Sequence, residues 1–184
     1  DGDCQAIATA FLLVSGLRFR SAKWVQNKMK KLAFLISLLL LTSVFSAEIH
    51  GKVVGVTDGD TITVLDSAKN NFRIRLERID APEQKQAFGS KAKQYLSALI
   101  FGKQVVVKYE KKDQYDRILG VVYLGKYDIN LQMVKAGFAW HYKYYDNTAE
   151  YAEAESLARK GKKGLWADSN PINPYEFRKQ RKYK

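Results

Sequence analysis

The chain has 184 residues, 46% of them hydrophobic and 27% charged, and Lys and Arg outnumber Asp and Glu by 31 to 19, a formal net charge of +12. One cysteine, Cys4, rules out an internal disulfide, and the length leaves room for one packed domain rather than two. The excess of positive charge suits a polyanionic partner such as nucleic acid, although charge alone does not separate that partner from an anionic membrane surface.

Residues 1–28 begin with Asp and carry only a weak apolar patch, Phe11 to Val14, so they read as an upstream extension not native to the protein. Met29 opens a second segment, 29–46, with the layout of a signal peptide: Lys30 and Lys31, an apolar run from Leu32 to Leu41, then Val44-Phe45-Ser46. That run is shorter than the roughly 20 apolar residues of a membrane span, so cleavage after Ser46 is expected rather than retention as an uncleaved anchor. The protein is expected to be exported, either secreted or periplasmic. Removing residues 1–46 takes away six basic and two acidic residues and leaves 25 against 17, a charge of +8. The same cut removes Cys4, so the expected mature chain has no thiol.

From Ile49 onward the pattern has period two and is rich in β-branched residues. It predicts strands at His50–Val56, Thr61–Leu65 and Phe72–Leu76, joined by turns at Asp58-Gly59 and Lys69-Asn70-Asn71. After Pro82 the period becomes helical through Phe88, Ala92, Tyr95, Leu96, Leu99 and Ile100, with Gly102 as the stop. Strands at Gln104–Glu110 and Ile118–Leu124 follow, then a short helix near Asn130 to Lys135 closed by Gly137. The last predicted helix starts at the N-cap Thr148 and ends at Gly161, acidic early and basic late, which matches the helix dipole. The predicted fold class is α+β, mainly β: a five-stranded Greek-key barrel of the oligonucleotide-binding (OB) type over residues 47–168, with about three helices. The pattern alone also allows other α+β arrangements. Residues 169–184, with Pro171, Pro174 and five basic residues from Arg178 on, read as a mobile basic tail.

Two clusters carry chemistry. Asp58-Gly59-Asp60-Thr61 and Asp80-Ala81-Pro82-Glu83 supply carboxylates, while Arg75 and Arg117 supply planar guanidiniums. Hard oxygen ligands bind a divalent cation and guanidinium forks bind phosphate, which together equip a site to break a phosphodiester. Strict alternation sets Arg75 opposite Leu76 and Asp80, so the pairing requires a bulge or a strand end between Leu76 and Ile79. Trp140, Tyr142, Tyr144 and Tyr145 form an aromatic cluster around His141 and Lys143. Tyr142, Tyr144 and Tyr145 are candidate base-stacking residues, worth about 1 to 3 kcal/mol per base; a core role for Trp140 and one tyrosine is the alternative. His50 and His141 show no partner that the sequence identifies.

The chain resembles the staphylococcal nuclease (thermonuclease) family through Val56-Thr57-Asp58-Gly59-Asp60-Thr61, the run Arg75 to Glu83, Asp113-Gln114-Tyr115-Asp116-Arg117-Ile118-Leu119-Gly120 and Gly164-Leu165-Trp166. The resemblance covers most of Glu48 to Asp168. It implies an OB barrel and calcium-dependent hydrolysis of DNA and RNA to products ending in a 3′-phosphate. It further implies calcium held by Asp60, Asp80 and the main-chain oxygen of Ala81, where the family commonly has Thr. Glu83 is implied as the residue that orients or deprotonates water, and Arg75 and Arg117 as the residues that neutralise the phosphate in the transition state. The expected partners are DNA and RNA, single-stranded or locally unpaired, acted on by a monomer with no stable protein partner. The chief alternative is a catalytically inactive OB-fold module that binds nucleic acid. A basic protein attached to anionic surface polymers explains the charge but not the carboxylates.

Overall fold

A computed structural model of the chain describes residues 24–31 and 47–182, and the chain divides into two units, Asp1–Phe45 and Ser46–Lys184. In the first, residues 24–31 form an exposed helix, α1, on which the Lys28 ammonium lies 4.1 Å from the centre of the Trp24 ring one turn away. The apolar run from Leu32 and the cleavage segment Val44-Phe45-Ser46 lie outside the described residues. Among the described residues no helix is long and apolar enough to cross a membrane.

The second unit is built on five long strands: β1 (Ala47–Val56), β2 (Thr61–Asp66), β3 (Asn71–Leu76), β5 (Gln104–Lys112) and β6 (Ile118–Leu124). They hydrogen-bond in the order β3-β2-β1-β5-β6, and a parallel pairing of β3 with β6 closes the barrel. The two-residue strand β7 (Tyr127–Asp128) pairs antiparallel with the end of β6, and β4 (Ile79–Asp80) pairs antiparallel with β8 (Trp140–His141) as a separate short ladder. The expected three-stranded meander is β1-β2-β3, and Ile118–Leu124 has the predicted ends. Alternation explains the inside of the barrel: Ile49, Gly51 and Val53 point inward along β1 while Glu48, His50 and Lys52 face water.

Helix α2 (Gly89–Ile100) lays Ala92, Leu96 and Ile100 against this core. Helix α3 (Ile129–Lys135) adds Met133 and Val134; the Asp128 side chain caps it by accepting from Leu131 N. Helix α4 (Ala149–Lys160) contributes Tyr151 and Ala154, and then a 3₁₀ turn at Gly164–Ala167 sends Leu165 and Trp166 into a smaller apolar cluster with Ala158, flanked by Phe88 and Trp140. Arg159 lies over both Trp140 and Trp166, which meet edge to face.

The tail read as mobile contains a helix, α5 (Pro174–Lys182). Asn173 starts it by accepting from Tyr175 N, Pro174 follows at the first helical position, and Glu176 stands in the first turn. These are start signals that the basic composition masked.

Candidate active site

Asp60, Arg75 and Asp80 reach one place because of strand register. Thr61 pairs with Arg75 across β2 and β3, which sets Asp60, one residue before Thr61, beside the end of β3. Leu76 N donates to the Asp60 carbonyl at 2.8 Å and fixes that junction. Gly59 permits the approach, since a Cβ there would sit 2.7 Å from the Ala81 Cβ and 2.8 Å from that of Ala92. Strand β3 stops at Leu76, and Arg78, with φ of 68°, turns the chain into β4. This is the strand end that pairing Arg75 with Asp80 requires. Buried Asn130 holds it, donating to the carbonyls of Glu77 and Gly120 and accepting from Val122 N.

The side chains complete the corner. Arg75 Nη2 donates to Asp80 Oδ1 at 2.8 Å, and its Nη1 is ion-paired with Asp60 Oδ2. Asp60 Oδ2 also accepts from Ala81 N at 2.8 Å, which ties the two carboxylate segments together across 21 positions of sequence. Asp60, Asp80 and Ala81 are buried, and Glu83 is partly exposed at the mouth. Burial pushes the Asp60 carboxyl up to about 7, aided by the like charges of Asp58 and Asp80 and opposed by Arg75 and the Ala81 N–H. On Arg75 burial is the largest influence and works to neutralise it, but Asp60, Asp80 and Asp58 prevail and hold it charged.

Arg117 occupies a different setting. Ile74 pairs with Ile118 and Arg75 with Leu119, so Arg117, immediately before β6, enters the site from the strand that lies beside β3. Its guanidinium donates from Nε to Asp113 Oδ2 at 2.8 Å, with Nη2 2.7 Å from the same oxygen, and lies over the Tyr115 ring. Asp113 also accepts from the N–H groups of Tyr115 and Arg117, so Asp113 and Tyr115 shape the loop that presents Arg117. Burial tends to raise the Asp113 carboxyl, but these donors outweigh it and its pKa stands below the usual value.

The tyrosines adjoin the corner through the short ladder. Asp80 pairs with Trp140, and Tyr142 N donates to the Arg78 carbonyl at 2.8 Å. Burial, then the charge of Asp80, raises the pKa of Tyr142. Tyr144 and Tyr145 are exposed, and Tyr145 meets Tyr142 and Tyr144 edge to face at 5.2 and 5.0 Å, leaving ring surface open to solvent. Trp140 and Trp166 belong to the apolar cluster instead.

Two features were not anticipated from sequence. His141 is buried and bonded through Nε2 to Asp146 Oδ2 at 2.7 Å, while Asp146 Oδ1 accepts from Thr148 Oγ1, a clamp that secures β8 behind Asp80. His50 is exposed beside Glu48. The second feature is Arg178 of α5. Its Nη1 donates to Glu83 Oε1 at 2.8 Å and to Asp80 Oδ1 at 3.1 Å, and its Nη2 donates to Asp80 Oδ2 at 2.9 Å. Burial pulls the Arg178 pKa down, but the bonds to Asp80 and Glu83 outweigh it and the group stands above its usual value.

Among the described residues no group of three or more His, Cys, Asp or Glu side chains is placed to hold a metal ion by itself. The donor set is two buried carboxylates, with the Ala81 peptide between them and Glu83. Its oxygens are hard, and burial, the largest cause of the raised Asp60 pKa, makes the charged form of that carboxylate costly there without a neighbouring cation. A divalent oxygen-seeking cation that keeps part of its hydration suits such a set.

Comparison with known proteins follows the same lines. Residues 73–168 match the family model described as staphylococcal nuclease homologue. A protein of Haemophilus influenzae described as an uncharacterized endonuclease is 47% identical over 152 residues, 80% of this chain and 85% of the relative. An uncharacterized endonuclease of Escherichia coli is 43% identical, covering 82% of this chain and 98% of its own length. A micrococcal nuclease of Shigella flexneri is 41% identical, over 82% of this chain and 92% of the relative.

Proposed function

The chain belongs to the staphylococcal nuclease family and is a phosphodiester hydrolase acting on nucleic acid, and from this premise we propose that it is a calcium-dependent, sugar-non-specific endonuclease whose products end in a 3′-phosphate. The observation that carries the reading is the convergence of Asp60, Asp80 and Arg75, with Glu83 joined to Asp80 through Arg178 and the Arg117 loop leading into the adjoining strand β6. Asp60, Asp80 and the carbonyl of Ala81 are the groups that hold calcium, which when bound supplies positive charge against the phosphate oxygens. Glu83 orients a water molecule and accepts its proton as the water oxygen bonds to phosphorus. The bond from phosphorus to the 5′ oxygen breaks, and that oxygen leaves as a hydroxyl after taking a proton from solvent. Arg75 and Arg117 neutralise the charge that builds on the non-bridging oxygens, a task suited to planar forks.

Contacts centred on phosphate do not read bases, so DNA and RNA are both substrates. Tyr142, Tyr144 and Tyr145 stack unpaired bases, which favours single-stranded or locally opened substrate. The enzyme acts as a monomer outside the cytoplasm, exported through the segment that begins at Met29. Incubating the chain with single-stranded DNA, with calcium or with chelator, and repeating this with Glu83→Gln tests the reading. Cleavage that needs calcium and is lost in the variant supports it; tight binding without cleavage contradicts it.

A further inference from the structure

The Arg178 guanidinium sits where a cation for the carboxylates has to sit. Asp80 accepts three hydrogen bonds, one from Arg75 and two from Arg178, and both of its oxygens are engaged. Arg178 also bonds the Glu83 carboxylate, so one side chain from the C-terminal helix ties up a proposed metal ligand and the proposed water-orienting group together. The helix is moored a second time. The Gln86 side chain donates to the Ile172 carbonyl at 2.6 Å and accepts from Glu83 N at 3.1 Å, which joins the catalytic loop to the segment before α5. Ile172 and Phe177 then line a cavity of about 100 Å³ with Pro82, Phe88, Trp140 and Leu165. Most of the remaining surface of α5 faces water, with Lys179 and Arg181 exposed.

We propose that α5 is an autoinhibitory strap in which Arg178 and the divalent cation compete for the oxygens of Asp80 and Glu83. The proposal rests on the calcium reading above and adds its regulation. A cation cannot join Asp80 on the side that Arg178 covers, and two guanidiniums beside the carboxylate repel it. Loading therefore requires Arg178 to withdraw, and the apparent affinity is the intrinsic one multiplied by the fraction of molecules with the strap released. Coupling is reciprocal, so calcium loosens the helix by the same factor by which the helix weakens calcium. A polyanionic substrate arriving with the cation supplies phosphate as an alternative partner for the freed Arg178 and the exposed Lys179 and Arg181. The strap thus keeps the carboxylates charge-balanced until ion and substrate arrive.

The test is calcium binding by isothermal titration calorimetry on the full chain and on Arg178→Gln, with Arg181→Gln as a control of equal charge on the same helix. Arg178→Gln is expected to bind calcium roughly 5- to 150-fold more tightly, the usual span of such couplings. Arg181→Gln is expected to stay near the parent value. Gln86→Leu, which releases the other mooring, is expected to move in the same direction by less. In the parent chain, calcium is expected to speed amide hydrogen exchange across residues 174–182, with a midpoint at the calcium dissociation constant. Equal calcium affinity in the parent and Arg178→Gln, with calcium-dependent cleavage intact, overturns the strap alone. So does exchange in α5 that ignores bound calcium. Absence of calcium binding in both chains overturns the calcium reading and the strap with it.

Discussion

Arg75 lies on β3 and Arg117 immediately precedes β6, the parallel neighbour of β3, yet their surroundings differ. The Arg75 side chain is 14% exposed and bound to two buried carboxylates, whereas Arg117 leans on Asp113 of its own loop. The first is fixed by tertiary structure: β3, the β1–β2 turn and β4 must all be in place for its partners to exist. The second is fixed by the five residues Asp113 to Arg117. One arginine is part of what holds the barrel end together, and the other can turn toward a ligand while only its loop adjusts. The site therefore combines a preorganised half with an adaptable half.

Removing each arginine tests that contrast. Arg75→Ala is expected to lower kcat about 100- to 1,000-fold through lost charge stabilisation. It also leaves Asp60 and Asp80 buried without their shared cation, at a cost of about 3 to 5 kcal/mol of folding stability. Arg117→Ala is expected to lower kcat by a similar factor while stability in urea changes by about 1 kcal/mol or less, because its ion pair is local and near the surface. Equal losses of stability in the two variants would erase the distinction. Replacing Tyr144 and Tyr145 by Ala, one at a time, is expected to weaken binding of single-stranded DNA by about 1 to 3 kcal/mol per lost stacking contact and to leave kcat nearly unchanged. Fluorescence anisotropy with calcium omitted measures this without turnover.

The smallest effect concerns the clamp behind Asp80. Burial works to raise the Asp146 carboxyl, but the bonds from Thr148 and His141 and the charge of Arg78 outweigh it, and its pKa lies below the usual 3.8. Its stabilising contribution is therefore complete above pH 3.8 and is lost as the pH falls through the lower folded value. Asp146→Asn is expected to lower Tm by about 2 to 4 °C at pH 7, the equivalent of about 1 kcal/mol, and to match the parent once the pH is below that value. A Tm difference that persists unchanged into strong acid would show that Asp146 acts through packing rather than charge.

What the sequence discloses depends on how local the cause is. Strands β1 to β3 and helix α2 follow from alternation, turn residues and a change of period, and each is contained in a short window. The end of β3 before Asp80 follows from geometry alone, since Arg75 and Asp80 cannot meet along an uninterrupted strand. The closure of β3 on β6, and with it the relation of Arg75 to Arg117, has no local signature, because parallel neighbours far apart in sequence are joined only when the barrel shuts. The bond between His141 and Asp146 has no sequence signature, because a lone histidine in an aromatic stretch carries no sign of its partner. Arg178 was hidden by its company: among Lys179, Arg181, Lys182 and Lys184 it reads as one more solvated charge. Asn173-Pro174 with Glu176 announces a helix, but only the folded chain shows that one face of that helix meets Asp80 and Glu83, more than 90 positions earlier.

If nucleic acid is cut at the corner formed by Asp60, Asp80 and Arg75, Asp80→Asn loses about 100-fold or more of the parent chain's rate on single-stranded DNA at saturating calcium, and a calcium titration finds the stimulation abolished or moved to far higher concentrations. Cleavage by Asp80→Asn at the parent rate and with the parent calcium dependence would contradict that placement of the cut.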